Sequence, residues 1–182
     1  MEMGNILILG SEGFIGSNLN QHLRTYHASV EVNNWNRISD GSIHNVEHVH
    51  AALSKYKPTI ILNCAWLRTN KTEYKTDYEN YSWATSTIQF HKICGSRGIK
   101  VYSLGSLSEL SSNLNNHYLS AKRATVKALE DAKLLESHCW FRLSYVFSFA
   151  DKRPNIVKSL MGVPGNISFQ LNEPDTINDF IH

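Results

Sequence analysis

A tyrosine and a lysine at a spacing suited to acid–base chemistry occur in the segment YLSAK, where they are Tyr118 and Lys122. On a helix, residues i and i+4 lie on one face, one turn apart. A free phenol has a pKa of about 10, and a neighbouring ammonium favours the phenolate and lowers that pKa. The pair therefore predicts an acid–base group, Tyr118, tuned by Lys122. The same spacing also occurs where both residues only pack or face solvent, so the position of the pair in the fold decides between a catalytic and a structural role.

A glycine-rich turn offers a second piece of chemistry near the N-terminus. Gly10, Gly13 and Gly16, with Phe14 and Ile15 between the last two, follow an apolar run and lead into a helical pattern that begins at Ile15. The first glycine permits a tight turn, the second lets the backbone approach phosphate oxygens, and the third lets the helix pack on the strand. Free N–H groups at the helix start then face the anion. The pattern predicts a site for a dinucleotide pyrophosphate, with a plain loop as the alternative.

Short apolar runs alternate with helical periods over the first 146 residues. The predicted strands are Ile6–Leu9, Val30–Val32, Thr59–Leu62, Val101–Leu104 and Trp140–Val146. Helices are predicted over residues 15–26, 46–56, 83–94 and 118–129, and turns over the Asn-rich segments 33–36 and 113–116. This alternation predicts an α/β fold with a doubly wound parallel sheet, whose ligands bind at the carboxyl ends of the strands.

The GxxGxxG spacing and its aromatic-Ile-Gly ending resemble the extended branch of the short-chain dehydrogenase/reductase superfamily, which includes nucleotide-sugar epimerases, dehydratases and reductases. The likeness continues in NCAW at residues 63–66, FRLSYVF at 141–147 and NDFIH at 178–182. It implies a Rossmann-type NAD(P)-binding domain over residues 1–148. In that family the chain continues well past the last motif, so residues 149–182 are expected to begin an incomplete substrate-binding region.

The resemblance also implies roles at the carboxyl edge of the sheet. Ser106 matches the Ser or Thr that hydrogen-bonds the reacting carbonyl or hydroxyl of the substrate, with Ser103 and Ser108 as less favoured alternatives. Tyr118 is the implied acid–base residue. Lys122 is implied to bind the nicotinamide ribose hydroxyls in addition to tuning the phenol.

The choice of dinucleotide depends on the end of the second strand. An acidic residue about 20 residues beyond the glycine turn would accept the ribose 2′-OH of NAD. By the resemblance Asn34 stands at that position, no carboxylate is near, and Arg37 follows. A guanidinium suits a 2′-phosphate, so NADP(H) is the expected cofactor and NAD the alternative. The other interpretation of Arg37 is a solvated loop charge.

Further cofactor contacts are implied along the chain. Cys64 and Ala65 end the third strand beside the cofactor's ribose and phosphates, and Trp66 departs from the glycine that is common there. Asn80 matches a helix asparagine that supports a water or backbone contact behind the active lysine, and a capping or exposed asparagine is the alternative. The remaining expected cofactor contacts are Ile43, Arg68 and Tyr145.

Composition excludes several classes of protein. The chain has 18 Lys+Arg against 16 Asp+Glu, a formal net charge of +2, which argues against a nucleic-acid surface. No apolar run approaches the roughly 20 residues of a membrane helix, and no signal peptide is evident, so a cytoplasmic protein without a membrane partner is expected.

Two side-chain types could suggest other chemistry. The three cysteines, Cys64, Cys94 and Cys139, have no CxxC spacing and lie in apolar stretches, which predicts buried, reduced thiols. His44 and His48 are one helix turn apart, but no set of Cys or carboxylate ligands joins them, which favours a solvated helix face over a zinc site. No bound metal is expected.

The sequence therefore predicts an NAD(P)-dependent oxidoreductase or epimerase acting on a nucleotide-activated sugar, with reduction of a keto-sugar as its simplest form. The rival prediction is a non-catalytic NADP(H)-binding module, favoured by the short chain. The resemblance further implies a homodimer formed through the two helices that hold Asn80 and Tyr118.

Overall fold

A computed structural model describes residues 4–67, 73–111, 116–144 and 146. Its strands and helices are, in chain order, β1 (Asn5–Leu9), α1 (Phe14–Tyr26), β2 (Glu31–Trp35), α2 (Val46–Tyr56), β3 (Ile60–Asn63), α3 (Glu79–Ser96), β4 (Lys100–Ser106), α4 (His117–Asp131) and β5 (Cys139–Leu143). Two short 3-10 helices, Leu107–Leu110 and Leu134–Glu136, flank α4. No helix in these ranges has the length and apolar character needed to cross a membrane. Arg68, Tyr145 and the predicted region 149–182 lie outside the described residues.

The five strands form one parallel sheet in the order β2-β1-β3-β4-β5. The chain leaves β1 in one direction to β2 and then returns past it to β3, so the strand order reverses at β1. In register, Leu9 at the end of β1 lies between Trp35 of β2 and Asn63 of β3. This confirms the predicted Rossmann-type α/β sheet, and it puts the expected ligand crevice at the carboxyl ends of β1 and β3.

Alternate residues of β1 serve the two faces of the sheet, because successive strand side chains point in opposite directions. Leu7 and Leu9 pack in a core with Phe90 of α3 and Leu53 of α2. Ile6 and Ile8 pack on the other face with Val32 of β2, where the partly buried Leu23 of α1 contacts this cluster. Helices therefore cover both faces, as the alternating pattern predicts.

The second strand differs from its prediction. It runs over Glu31–Trp35, so Asn33 and Asn34 lie in a strand rather than in the predicted turn. The low strand propensity of asparagine is overridden by parallel pairing with β1 and by Trp35, which is buried and donates from its indole nitrogen to the Gly41 carbonyl. At the other end of the sheet, β5 stops at Leu143, short of the predicted Val146.

The cysteines only partly match their prediction. All three are free thiols, but Cys94 alone is fully buried, and Cys64 and Cys139 are half-buried. Cys64 follows β3 at the sheet edge, which explains its partial exposure. Burial raises the pKa of Cys94 to about 12 and that of Cys64 to about 11, so both are protonated thiols near neutrality.

Candidate active site

The glycine turn between β1 and α1 is closed too tightly for side chains at two positions. Gly10 has a φ of +73°, and a Cβ there would lie 2.9 Å from the Cys64 carbonyl group. A Cβ on Gly16 would lie 2.2 Å from the Gly10 carbonyl oxygen. Both positions need glycine because the backbone of the turn approaches its neighbours at less than side-chain distance. The tight turn predicted at Gly10 is therefore present.

The start of α1 is suited to an anion. Gly13 precedes the helix with extended backbone, its N–H donates to the Gly10 carbonyl (2.9 Å), and it offers no side-chain cap. The first turn, which begins at Phe14, contains no acidic residue. The first N–H groups of a helix have no carbonyl partner within it, and they carry the positive end of the helix dipole. This turn therefore fits a pyrophosphate on steric and electrostatic grounds.

Asn34 lies in β2, one residue before the strand ends at Trp35. It pairs in register with Ile8 inside β2, and its Oδ1 is buried with no hydrogen-bond partner among the described residues. The carboxyl end of β2 is Trp35, so Asn36 and Arg37 begin the loop at the sheet edge. The role expected of Asn34 stays a prediction.

The expectation that no carboxylate is near this loop is wrong. Asp40 Oδ2 accepts the backbone N–H of Asn36 at 2.8 Å, because the loop turns back on itself. The same carboxylate is held by Lys55 at 2.6 Å and by the Tyr56 hydroxyl at 2.8 Å. Its acceptor oxygens are thus occupied by protein donors. Arg37 is exposed beside it.

An open cleft of about 200 Å³ lies at the carboxyl ends of β3, β4 and β5. The cleft brings together six predicted site residues, namely Ile15, Cys64, Ala65, Ser106, Tyr118 and Lys122. Ile43 is not among them, because its side chain packs in the core with Trp35 and Val49.

Ser106 is the last residue of β4 and the N-cap of the following 3-10 helix. Its Oγ accepts the Ser108 N–H at 3.2 Å, and its own N–H donates to Glu109 Oε1 at 2.6 Å. A serine hydroxyl keeps its O–H as a donor while it accepts, so Ser106 can still donate to a ligand oxygen. Ser103 is a poor alternative, because its hydroxyl is buried between Asn63 and His91.

Glu109, which is not among the predicted site residues, contacts Ser106 at the end of β4. It is buried, and its Oε2 accepts from the Trp140 indole at 3.1 Å and from Arg142 Nε at 3.3 Å. Gly105 makes room for this contact, since a Cβ there would lie 2.2 Å from the Trp140 nitrogen. The signal was available, because Ser106 and Glu109 have the S-x-x-E spacing of a capping box.

Tyr118 and Lys122 lie in the first turns of α4, which begins at His117 and is capped by Asn116, whose Oδ1 accepts the Leu119 N–H. Lys122 Nζ is 5.7 Å from the centre of the Tyr118 ring, so the two side chains share a face. The ammonium donates to the Leu104 carbonyl of β4 at 2.7 Å. The structure thus joins the predicted pair to the strand that ends at Ser106.

Burial moves the two pKa values in opposite directions. It lowers the pKa of Lys122 to about 7, against the charge of Glu109, which raises it. It raises the pKa of Tyr118, and Tyr74 and Glu109 raise it further. The expected lowering of the Tyr118 pKa by Lys122 is therefore wrong, because desolvation of the phenolate outweighs the neighbouring lysine.

Trp66, which replaces the glycine that the resemblance leads us to expect, packs against Lys122. The centre of its ring is 3.6 Å from the Lys122 Nζ, and its indole N–H donates to Asn80 Oδ1 at 2.9 Å. Asn80 is fully buried, and its amide donates to the carbonyls of Tyr74 (2.6 Å) and Asp77 (2.8 Å). An exposed Asn80 is thus ruled out, and this asparagine reaches Lys122 through the tryptophan.

A buried polar chain supports the wall of the cleft. Asn63 donates to Ser103 Oγ at 3.1 Å, and its Oδ1 accepts the Ala65 N–H at 3.1 Å. Ser103 Oγ is 2.8 Å from His91 Nε2. Burial and the neighbouring His138 lower the pKa of His91 to about 3, so this imidazole is neutral. These hydrogen bonds join the end of β3 to β4 and to α3.

Comparison with known proteins gives one family and several similar folds. A family model described as the NAD dependent epimerase/dehydratase family matches residues 6–158. No curated protein sequence matches the chain at a significant level. Similar solved structures include a dTDP-4-dehydrorhamnose reductase from Clostridium acetobutylicum, 19% identical with a TM-score of 0.67, over 86% of this chain and 57% of that one.

Two further structures share the fold. A dTDP-4-dehydrorhamnose reductase from Bacillus anthracis, in complex with NADP, is 16% identical with a TM-score of 0.69, over 88% of this chain and 60% of that one. A GDP-L-fucose synthetase from Naegleria fowleri, bound to NADP, is 15% identical with a TM-score of 0.59, over 88% and 61%. This chain spans less than two thirds of the length of each of the three. Identities this low show a common fold alone.

Proposed function

The chain belongs to the NAD-dependent epimerase/dehydratase family, and from that premise we propose that it is an NAD(P)-dependent oxidoreductase or epimerase acting on a nucleotide-activated sugar. The observation that carries the proposal is the cleft. It gathers Ser106, Tyr118 and Lys122 beside Ile15, which lies in the first turn of α1 between Gly13 and Gly16. A hydroxyl donor, a phenol and an amine beside an anion-binding helix start are the groups that proton-coupled hydride transfer needs.

Each residue of the site has its own role in this proposal. The glycine turn would hold the pyrophosphate and Lys122 the nicotinamide ribose of the dinucleotide, which when bound supplies or accepts a hydride. Ser106 donates its hydroxyl hydrogen to the reacting sugar oxygen. Tyr118, whose raised pKa keeps the phenol protonated, donates the proton to the same oxygen. A protonated phenol suits the reduction of a keto-sugar, so reduction is the direction that we propose.

We propose NADP(H) as the preferred cofactor. Arg37 is exposed at the carboxyl end of β2, and the nearby Asp40 carboxylate is held by Lys55 and Tyr56. The edge therefore offers a guanidinium for a 2′-phosphate. The reductase from Bacillus anthracis and the synthetase from Naegleria fowleri hold NADP, which supports this choice. The test compares NADPH and NADH affinities before and after Arg37→Ala, and equal or tighter NADH binding by the unaltered protein would contradict it.

The enzymatic proposal is tested by hydride transfer. NADPH oxidation is followed with a panel of 4-keto nucleotide sugars, for the unaltered protein, Tyr118→Phe and the control Tyr26→Phe, which changes an exposed tyrosine at the end of α1. We expect turnover that Tyr118→Phe abolishes and Tyr26→Phe leaves intact. Micromolar NADPH binding with no turnover by any of the proteins would refute an enzymatic role.

One observation favours a second candidate function, a non-catalytic NADP(H)-binding module. The Lys122 ammonium is already engaged by the Leu104 carbonyl and the Trp66 ring, and the Tyr118 phenol is half-buried with a raised pKa. Groups committed to the protein in this way could serve the fold rather than a reaction. Binding of NADPH without turnover is the result that separates this candidate from the enzyme.

We also propose that two copies associate through α3 and α4. Tyr78 is 73% exposed, and its ring packs 4.3 Å, centre to centre, from that of His117. Tyr81 of α3 is also exposed and its hydroxyl is 3.1 Å from His117 Nδ1. An exposed aromatic cluster of this kind suits a protein contact. Sedimentation analysis of the unaltered chain and of Tyr78→Ser tests for a dimer that the substitution weakens.

A further inference from the structure

Aromatic rings surround the ammonium of Lys122. Its Nζ is 3.6 Å from the centre of the Trp66 ring, 5.2 Å from that of Trp140 and 5.7 Å from that of Tyr118. An ammonium has three N–H donors, and within the described residues only the Leu104 carbonyl accepts a hydrogen bond from it. The closest remaining partner is therefore the face of Trp66, at a distance typical of a cation–π contact.

The tryptophan is itself held in place. Its indole N–H donates to Asn80, whose amide is fixed by two backbone carbonyls from the segment before α3. The ring also contacts the Tyr118 ring edge-on, with centres 6.4 Å apart. Trp66 lines the cleft and is half-buried, whereas Lys122 is only 4% exposed. The indole is thus anchored at one edge with its face against the Lys122 amine, and both residues line the cleft.

We propose that Trp66 is a positioning residue that shields Lys122, so that the indole face and the ribose hydroxyls of the nicotinamide half compete for the same ammonium. This inference rests on the proposed function, in which Lys122 holds that ribose. The adenosine half of the dinucleotide would meet Gly10, Gly16 and Arg37 instead, away from Lys122. Trp66 would therefore weaken binding of the nicotinamide half and leave binding of the adenosine half unchanged.

The first test needs no cofactor. Acetylation of individual lysines by acetic anhydride is followed by mass spectrometry in the unaltered protein and in Trp66→Ala, with the exposed Lys92 as the internal reference. We expect Lys122 to be modified several-fold faster, relative to Lys92, once the indole is removed. An unchanged ratio would show that Trp66 does not shield the amine and would overturn the inference.

The second test separates the two halves of the dinucleotide. Calorimetry gives the affinities of NADPH and of 2′,5′-ADP, which lacks the nicotinamide ribose, for the unaltered protein and Trp66→Ala. Loss of a cation–π contact of ordinary strength corresponds to NADPH binding that is about 2- to 30-fold tighter. The affinity for 2′,5′-ADP is expected to stay the same.

Two more variants remove ambiguities. Trp66→Phe keeps a ring over the ammonium but loses the bond to Asn80, so its NADPH affinity is expected to stay near that of the unaltered protein. Trp66→Leu keeps apolar bulk without a π face, and it should behave like Trp66→Ala even if the alanine variant folds poorly.

The possible outcomes are distinct. Tighter NADPH binding with unchanged 2′,5′-ADP binding supports the shield. Weaker NADPH binding in Trp66→Ala would make Trp66 a platform for the cofactor, and unchanged NADPH binding would make it a bystander; either result overturns the inference. Failure of every protein to bind either ligand would overturn the proposed function and the competition with it, while the acetylation ratio still decides whether Trp66 covers Lys122.

Discussion

Burial of Lys122 should make the free energy of unfolding depend on pH above neutrality. The pKa of Lys122 is about 7 in the folded chain, against an ordinary value of 10.5, chiefly because burial disfavours the ammonium. Between these two values the unfolded chain binds a proton that the folded chain has released. Stability rises with pH wherever the unfolded state holds more protons, so this residue makes the fold more stable as pH increases from about 7 to about 10.

The magnitude follows from the size of the shift. At pH 7 the mismatch between folded and unfolded Lys122 costs about 4 kcal/mol, a large part of the 5–15 kcal/mol by which a domain is usually stable. Raising the pH from about 7 to about 9 should recover roughly 2 kcal/mol of that cost. The buried charge of Glu109 acts in the opposite direction and is already included in the folded pKa.

The measurement compares the unaltered chain with Lys122→Met, which keeps a similar length and apolar stem without the amine. Urea unfolding at a series of pH values gives the free energy of unfolding of each protein. We expect Lys122→Met to be the more stable near pH 7 and the difference to shrink as pH rises. The slope belongs to Lys122 only if it is absent from the variant, because other groups titrate equally in both. Parallel curves for the two proteins would refute the reasoning.

Three further predictions concern residues whose packing or hydrogen bonds support the site. Gly16→Ala should lower the free energy of unfolding by about 1–3 kcal/mol in urea unfolding, because the added Cβ would lie 2.2 Å from the Gly10 carbonyl oxygen. Gly4→Ala is the control, because nothing lies within 4 Å of a Cβ there, and equal losses in the two variants would contradict the prediction. Glu109→Gln should lower the free energy of unfolding by about 1–3 kcal/mol in the same assay, because the amide nitrogen would face the Trp140 and Arg142 donors. An unchanged free energy of unfolding would mean that the hydrogen bonds of the carboxylate do not stabilise the fold. Ser103→Ala should also lower the free energy of unfolding by about 1–3 kcal/mol, because the buried Asn63 amide loses its acceptor. An unchanged free energy of unfolding would mean that the Asn63–Ser103 hydrogen bond does not stabilise the fold.

The glycine turn could be predicted from the sequence because its constraints are local. A φ of +73° at Gly10 and a 2.2 Å approach at Gly16 exclude any side chain, so the spacing of glycines records the geometry directly. The common face of Tyr118 and Lys122 is also local, since it follows from four residues of helix. The alternation of strands and helices then placed both features at one edge of a parallel sheet.

Features that depend on contacts between distant segments could not be predicted from the sequence. Asn33 and Asn34 have turn-like composition, yet they lie in β2 because β1 supplies the pairing partner. Trp66 meets Lys122 across the site although 56 positions of numbering separate them, so no spacing rule could indicate the contact. Glu109 was signalled by its capping-box spacing, but its contacts with Trp140 and Arg142 depend on where β5 joins the sheet.

The direction of the Tyr118 pKa was wrong for a related reason, and the correction bears on the proposed chemistry. Spacing shows that a lysine stands near the phenol, but not that both groups are withdrawn from water. Desolvation disfavours the charged form of each, so it moves the phenol toward a higher pKa and the amine toward a lower one. Near neutrality the pair then holds a protonated phenol beside a lysine that is about half charged. A phenol in that state can give a proton to a developing alkoxide, and the adjacent ammonium would stabilise the phenolate that remains. In the reverse direction the phenol must first lose its proton, which its raised pKa opposes near neutrality, and for this reason reduction is the direction that we propose.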